Sequence, residues 1–347
     1  MTLIKTISVQ HIRAHKTYSL DISPNVTLIT GPNGSGKTSL IEALYIALQG
    51  SSFKGVDSDI LQRGALWYRI DVLFEDASIR TVKFDPNREN GRKQFTIDGK
   101  TNYRLLPRYK YPVVLFEPDD LRLLSGSPAR RRQFIDHFIS ELDSQYSISL
   151  RRYERALKQR NSLLKQQAAS DSLFAWDVTL SEYGAYIITQ RIRFIAQLNE
   201  RLNTAYESIS HTKDTVAIAY SFAGYDGIQQ KLLSDLHSHT DRDKILGFTS
   251  TGPHRHDVLF EFNHSPALTV ASRGEIRSVV LALKFLEVNI IESITGKTPI
   301  ILLDDVFSEL DKQRQDYLID STKKNQIIIT SATNHSAIHT DFVAKLK

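Results

Sequence analysis

Residues 31–38 read Gly-Pro-Asn-Gly-Ser-Gly-Lys-Thr and fit the spacing G-x-x-x-x-G-K-[ST]. These residue types suit the cradling of phosphate. Gly31, Gly34 and Gly36 let successive backbone N–H groups turn inward toward phosphate oxygens. Lys37 can reach β- and γ-phosphates, and the Thr38 hydroxyl can ligate Mg²⁺. Pro32, Asn33, Ser35 and Ser39 complete the loop and the start of the following helix, whose N-terminus adds partial positive charge. ATP with Mg²⁺ is the expected cofactor pair. Such a loop also needs an acid to hold the metal and orient water. Asp304-Asp305, directly after the apolar run 300–303, supplies it. Asp304 would join Thr38 at the metal, and Asp305 would position the attacking water or take its proton. Lys37, Asp304 and Asp305 are therefore the candidate catalytic residues.

A third segment, Ser272-Arg273-Gly274-Glu275, precedes an apolar helical pattern. Ser and Glu three apart form a capping box. A serine hydroxyl with N–H groups at a helix N-terminus also makes an anion site. Both readings are compatible.

The elements that must position these residues follow from hydrophobic periodicity. Residues 25–30 (NVTLIT) read as an apolar strand entering the loop, and 39–48 (SLIEALYIAL) as a helix leaving it. Residues 7–15 and 18–23 alternate as strands. Residues 66–100 read as short strands with a hairpin turn at Asp98-Gly99, and 111–116 as another strand. Ser127-Pro128 is a helix start. Phe134, Phe138, Leu142, Tyr146 and Leu150 then recur every four residues, and Tyr153, Leu157 and Leu164 continue the stripe as one long helix. The pattern breaks at 166–172. A second helical run goes from Tyr183 to Ile209, so an antiparallel helical hairpin is expected. Strands are expected at 215–222 and 258–262, and a helix at 273–293. Residues 299–305 and 326–330 are continuously apolar, as in a parallel sheet buried on both faces. The fold class is α/β. A discontinuous head (1–125 plus 245–347) is expected to carry an inserted helical lobe (126–244).

The chain has 347 residues, 41% of them hydrophobic and 24% charged, which excludes a disordered chain or a small stapled scaffold. Cysteine is absent, so disulfides, thiolate nucleophiles and sulfur-ligated zinc are excluded. His237-x-His239 and His254-x-His256 lie in polar loops and are not expected to hold zinc. No run of about 18 apolar residues suggests a membrane helix, and the first residues lack a signal-peptide core. A cytoplasmic protein is expected. The formal charge is +5. Residues 80–110 hold nine basic and three acidic residues, and 145–168 hold six basic and one acidic. Such stretches are either solvated charged faces or surfaces whose phosphate contacts give salt-dependent, largely sequence-independent DNA binding. Arg88, Arg92, Lys93, Arg151, Arg152, Arg155 and Lys158 are the DNA-binding candidates. Arg130-Arg131-Arg132 sits just inside a helix start, where cations oppose the macrodipole. Its partner is either a DNA phosphate or a carboxylate of the protein.

The order of phosphate loop, Ser-Arg-Gly-Glu and Asp-Asp strand resembles the ABC-type P-loop ATPase head of the branch shared by SMC, Rad50 and RecF proteins. Ala271-Ser272-Arg273-Gly274-Glu275 stands where transporters carry LSGGQ, and Ser308-Glu309-Leu310-Asp311 resembles the Asp-loop. Thr330 or Thr333 stands where transporters usually carry a histidine. Residues 118–136, 302–318, 252–255 with Asp257, and 52–54 (Ser-Phe-Lys) are similar to RecF family segments. The resemblance spans the chain. It implies an ATP-dependent homodimer in which Ser272 of one copy meets the γ-phosphate bound by the other, and it places Arg13 at the nucleotide. It implies binding at junctions between single strand and duplex, cooperation with RecR and RecO in loading RecA, a part in the SOS response, and a nucleoid-associated cytoplasmic location. Related ATPases often carry Glu where Asp305 stands. Its carboxylate sits about 1.5 Å further back, and about 1 Å of misplacement can cost about 100-fold, so slow hydrolysis is expected. A P-loop small-molecule kinase would need no partner serine. SMC and Rad50 heads need long coiled coils, and a transporter ATPase needs a membrane partner.

Overall fold

The computed structural model describes all residues except 1–2, 90–91, 223, 225, 333–341 and 347. Thr333 lies outside the described residues. The chain divides into two compact units: Met1–Asp120 with Glu287–Lys347, and Leu121–Leu286.

The first unit opens with β1 (Ile4–Ile12) and β2 (His15–Asp21), an antiparallel pair. Next come β3 (Val26–Thr30), α1 (Lys37–Gln49) and the single turn α2 (Asp57–Ile60). Strands β4 (Tyr68–Phe74), β5 (Ile79–Phe84), β6 (Lys93–Ile97) and β7 (Lys100–Asn102) extend an antiparallel sheet in the order β2-β1-β4-β5-β6-β7. Alternation sets its faces: Tyr68, Ile70, Val72 and Phe74 point into the core, while Arg69 and Asp71 do not. Asp98 (φ 50°) and Gly99 (φ 75°) form the expected two-residue turn between β6 and β7. β8 (Val113–Phe116) then starts a second sheet.

The second unit begins with α3 (Pro128–Leu142), where the Ser127 hydroxyl accepts from the Arg130 amide at 3.4 Å. The stripe beginning at Phe134 does not belong to one helix. Asp143 leaves the helical conformation and caps α4 (Ser144–Lys165) by accepting from the Gln145 amide at 2.8 Å. The expected single helix is therefore two, because a well-placed cap stabilises a new start within an in-phase apolar pattern. α5 (Ser170–Ser210) returns along α4 as the expected hairpin. β9 (Val216–Tyr220), α6 (Ile228–Ser238), α7 (Thr240–Leu246), β10 (Val258–Phe262) and β11 (Ser265–Pro266) follow, with the sheet order β11-β10-β9. After the short α8 (Ala267–Val270) comes α9 (Arg273–Thr295). This unit runs to Leu286, past residue 244, because β10 pairs with β9 and packs on α3.

The chain completes the first unit with β12 (Ile300–Asp304), α10 (Lys312–Ser321), β13 (Ile327–Ser331) and β14 (Phe342–Lys345). The second sheet is parallel throughout, in the order β14-β3-β13-β12-β8. Every residue of β3, β12 and β13 is buried, as their unbroken apolar character predicts. α1 packs against strands of both sheets, and its residues from Ser39 to Gln49 are all buried. This sandwiching places the start of α1 beside the ends of β3, β12 and β13.

Candidate functional site

The loop between β3 and α1 adopts the backbone its glycines allow. Gly34 (φ 86°) and Gly36 (φ 93°) are left-handed. A Cβ at Gly36 would collide with the His15 ring, whose Nε2 lies 3.1 Å from the Gly36 carbonyl oxygen. Glycine is required there for both reasons. Lys37 is buried, and its Nζ donates to the carbonyl oxygens of Gly31 (2.7 Å) and Pro32 (3.0 Å). The Ser35 hydroxyl is buried with no hydrogen-bond partner among the described residues.

The acidic pair meets this loop from β12. The Thr38 hydroxyl donates to Asp304 Oδ1 at 2.8 Å, joining residues 266 positions apart in sequence. Thr330 of β13 donates to the same oxygen at 3.0 Å. Lys54 Nζ lies 3.1 Å from the other oxygen, Oδ2. Asp304 is thus almost wholly buried yet compensated by two hydroxyls and one ammonium. Asp305 has φ 57°, uncommon for a non-glycine residue. Its amide donates to the Thr330 hydroxyl at 3.0 Å, and its Oδ1 is buried with no partner among the described residues. A carboxylate, a hydroxyl and an orphaned carboxylate oxygen form an all-oxygen donor set that fits a hard cation such as Mg²⁺. Among the described residues no group of three or more His, Cys, Asp or Glu side chains is gathered for a metal. That is consistent with a site that relies on a hydroxyl and on the ligand's own oxygens.

Lys54 is the residue of this site that motif reasoning left without a role. Its loop is tied down by Ser52, whose hydroxyl donates to Glu42 and accepts from the amides of Lys54 (2.9 Å) and Gly55 (3.1 Å). Glu42, fully buried on α1, also pairs with Arg13 at 2.7 Å. Arg13, in the β1–β2 turn with φ 43°, is therefore anchored one helical turn beyond Thr38.

In the second unit both halves of the Ser272 capping box form. Glu275 accepts from the Ser272 amide at 2.6 Å, and the Ser272 hydroxyl accepts from the Glu275 amide at 3.3 Å. Ser272 itself is exposed.

The basic stretches divide sharply. Arg151, Arg152, Arg155 and Lys158 are exposed on α4. Arg160, counted with them by sequence, is fully buried against Asp177 and Asp243, each at 2.6 Å. Arg80, counted in the other stretch, is buried and donates to the carbonyl oxygens of Ala47 and Tyr109. Arg88 and Arg92 are exposed, whereas Lys93 is held by both oxygens of Asp57 at 2.6 and 2.8 Å. Of the arginine triplet, Arg131 makes a bidentate pair with Asp257 (2.9 and 2.8 Å), and Arg132 donates to the His256 carbonyl oxygen at 2.6 Å. Their partners are internal. His254 Nδ1 lies 2.7 Å from the Tyr153 hydroxyl and His256 Nδ1 2.9 Å from that of Tyr220. Burial pushes both imidazoles down to about 4, so they stand neutral at pH 7.

Residues 6–330 match the family model described as an AAA domain. The chain is 32% identical over 334 residues to the DNA replication and repair protein RecF of Clostridium novyi, covering 94% of this chain and 92% of that protein. It is 32% identical over 385 residues to RecF of Thermomicrobium roseum, covering 99% and 96%. A solved structure of the recombination mediator protein RecF with ATP, in the RecFOR pathway, matches with a TM-score of 0.86 at 30% identity, covering 99% of this chain and 95% of that one. An SMC head bound to the C-winged helix domain of ScpA matches at 16% identity with a TM-score of 0.53, covering 96% and 90%, and shares the fold. The fold is that of an ABC-type P-loop ATPase head with an inserted helical lobe.

Proposed function

The chain belongs to the RecF family of DNA replication and repair proteins, and on that premise we propose that it is an ATP-gated DNA-binding protein of recombinational repair and replication restart. The observation that carries this reading is the 2.8 Å contact between Thr38 and Asp304, which joins the phosphate loop to the acidic strand end. Gly31 to Ser39 would cradle the phosphates, with Lys37 released from its loop carbonyls to meet them. Thr38 and Asp304 would hold Mg²⁺, which when bound neutralises charge between the β- and γ-phosphates. Asp305 would position water for slow hydrolysis, which DNA stimulates and which resets the switch. Arg13 would flank the nucleotide.

ATP carries more charge than one loop face covers. A second copy presenting Ser272 to the γ-phosphate closes on ATP and not on ADP, so the nucleotide sets association by differential binding. The paired form binds DNA at junctions between single strand and duplex, using Arg88, Arg92, Arg151, Arg152, Arg155 and Lys158, while Lys93 stays with Asp57. It acts with RecR and RecO to load RecA and so supports the SOS response, in the cytoplasm at the nucleoid. Among the described residues no helix is long and apolar enough to cross a membrane.

Sedimentation and DNA binding with ATP and with ADP test the reading. ATP should produce a dimer that binds DNA, and Lys37→Arg should remove both, because a planar guanidinium does not replace the compact ammonium. Ser272→Arg should bind nucleotide yet fail to pair. A protein that stays monomeric and holds DNA equally well with either nucleotide overturns the proposal. Neutralising Arg151, Arg152 and Arg155 together should lower the magnitude of the salt slope of duplex binding by about 3.

A further inference from the structure

The antiparallel sheet of the first unit carries a recess of about 250 Å³ that does not include the phosphate loop. Gln10 of β1, Arg69 of β4 and Lys83 of β5 line it at one level, because Gln10 pairs with Arg69 and Arg69 with Lys83 across the strands. Trp67, just before β4, Arg88 and Arg92 complete the lining used here. Trp67 is 39% exposed and is backed by His11, the two ring centroids being 4.6 Å apart. Arg69 is held by Asp71 at 2.6 and 2.9 Å, and Arg88 lies 3.7 Å from Asp85, the one lining carboxylate. Lys83 and Arg92 are exposed, and their side chains make no ion pair or hydrogen bond among the described residues.

The recess therefore offers a supported aromatic face, an amide able to donate and accept, and two unengaged cations. An acidic peptide would use only the cations, and an apolar ligand would strand all of them. A nucleotide uses every part: a π-face for Trp67, a hydrogen-bonding base edge for Gln10, and a phosphate for Lys83 and Arg92. We infer that this recess holds one unpaired nucleotide of a single DNA strand, its base stacked on Trp67. The inference rests on the DNA-binding reading above and gives it a source of preference for unpaired strands. Bases within a duplex are already stacked on one another and present no free face. A free mononucleotide has the same chemistry, so the test separates the two.

Chains carrying Trp176→Phe leave Trp67 as the reporter, since the sequence holds 2 tryptophans. With ATP present, an oligothymidylate of about twelve nucleotides should quench its fluorescence. Trp67→Ala should weaken strand binding about tenfold, leave blunt-duplex binding within about twofold, and be largely rescued in Trp67→Phe. Lys83→Gln with Arg92→Gln should weaken strand binding and flatten its salt dependence. Strand binding without quenching, or an equal loss for duplex in Trp67→Ala, overturns the site. Thymidine monophosphate binding as tightly as the strand overturns the strand as occupant. If wild type binds DNA only with ATP and Trp67→Ala is unchanged, the recess alone fails. If wild type binds no DNA in any nucleotide state, the proposed function fails with it.

Discussion

Arg160 in the helical unit is fully buried and half-buried Asp305 beside the phosphate loop has a buried Oδ1, yet the surroundings of these two ionisable side chains differ. Arg160 donates to Asp177 (2.6 Å), Asp243 (2.6 Å), Thr249 (3.0 Å) and the Leu236 carbonyl oxygen (3.2 Å). Nearby, Arg191 grips both oxygens of Asp136 at 2.8 Å and adds Tyr220 and the Pro253 carbonyl oxygen. Around the loop, Asp305 Oδ1 and Ser35 Oγ are buried without a partner among the described residues, and Asp305 is held at φ 57°. Among the described residues the Lys37 ammonium is occupied only by loop carbonyls. A closed network commits its whole bonding capacity to one conformation. An open one holds strained and unpaired groups ready for a ligand.

The comparison breaks most readily at Arg160. Arg160→Met leaves Asp177 and Asp243 facing one another without a cation and should cost about 3–5 kcal/mol in urea denaturation. A loss below about 1 kcal/mol would show that the network is not what holds the unit. Acid tests the same unit next. His254 and His256 are pushed down to about 4 by burial, from an ordinary value of 6.5. The unfolded chain takes up these protons first, so stability is intact above about 6.5, falls as pH drops from about 6.5 to about 4, and loses nothing further from these groups below that. The total loss should be a few kcal/mol, about 3 per histidine at most, and the double variant His254→Gln with His256→Gln should flatten the profile. At the open site, Lys37→Ala should weaken ATP binding about 100-fold by calorimetry, with little change in the urea midpoint. The smallest effect is expected at Lys54. Lys54→Met removes the ammonium from Asp304 and should cost about 1 kcal/mol without ligand. It should also lower the Mg²⁺ concentration needed for nucleotide binding, because ammonium and metal compete for one carboxylate.

Local signals carried much of this architecture. The glycine loop between strand and helix, the Asp98-Gly99 turn, the caps at Ser127 and Ser272, and the apolar strands 300–304 and 327–331 all stand where their chemistry puts them. The break at Asp143 was hidden because the four-residue stripe stays in phase across it; only the Asp-Ser pair marks the new cap. Arg160 sat in a basic run that reads as a phosphate surface, while its counter-charges lie 17 and 83 residues away. Arg131 finds Asp257 across 126 residues, and Lys54 finds Asp304 across 250.

Sequence alone therefore determined which chemical groups exist and which backbone each stretch prefers, because glycine conformations, caps and periodicity act over a few residues. The tertiary structure decided which of those groups are already engaged. A charge buried beside its counter-charge is closed to ligands, and one left exposed or half-satisfied is open. That outcome depends on strand order and helix packing, which bring together residues no local pattern connects.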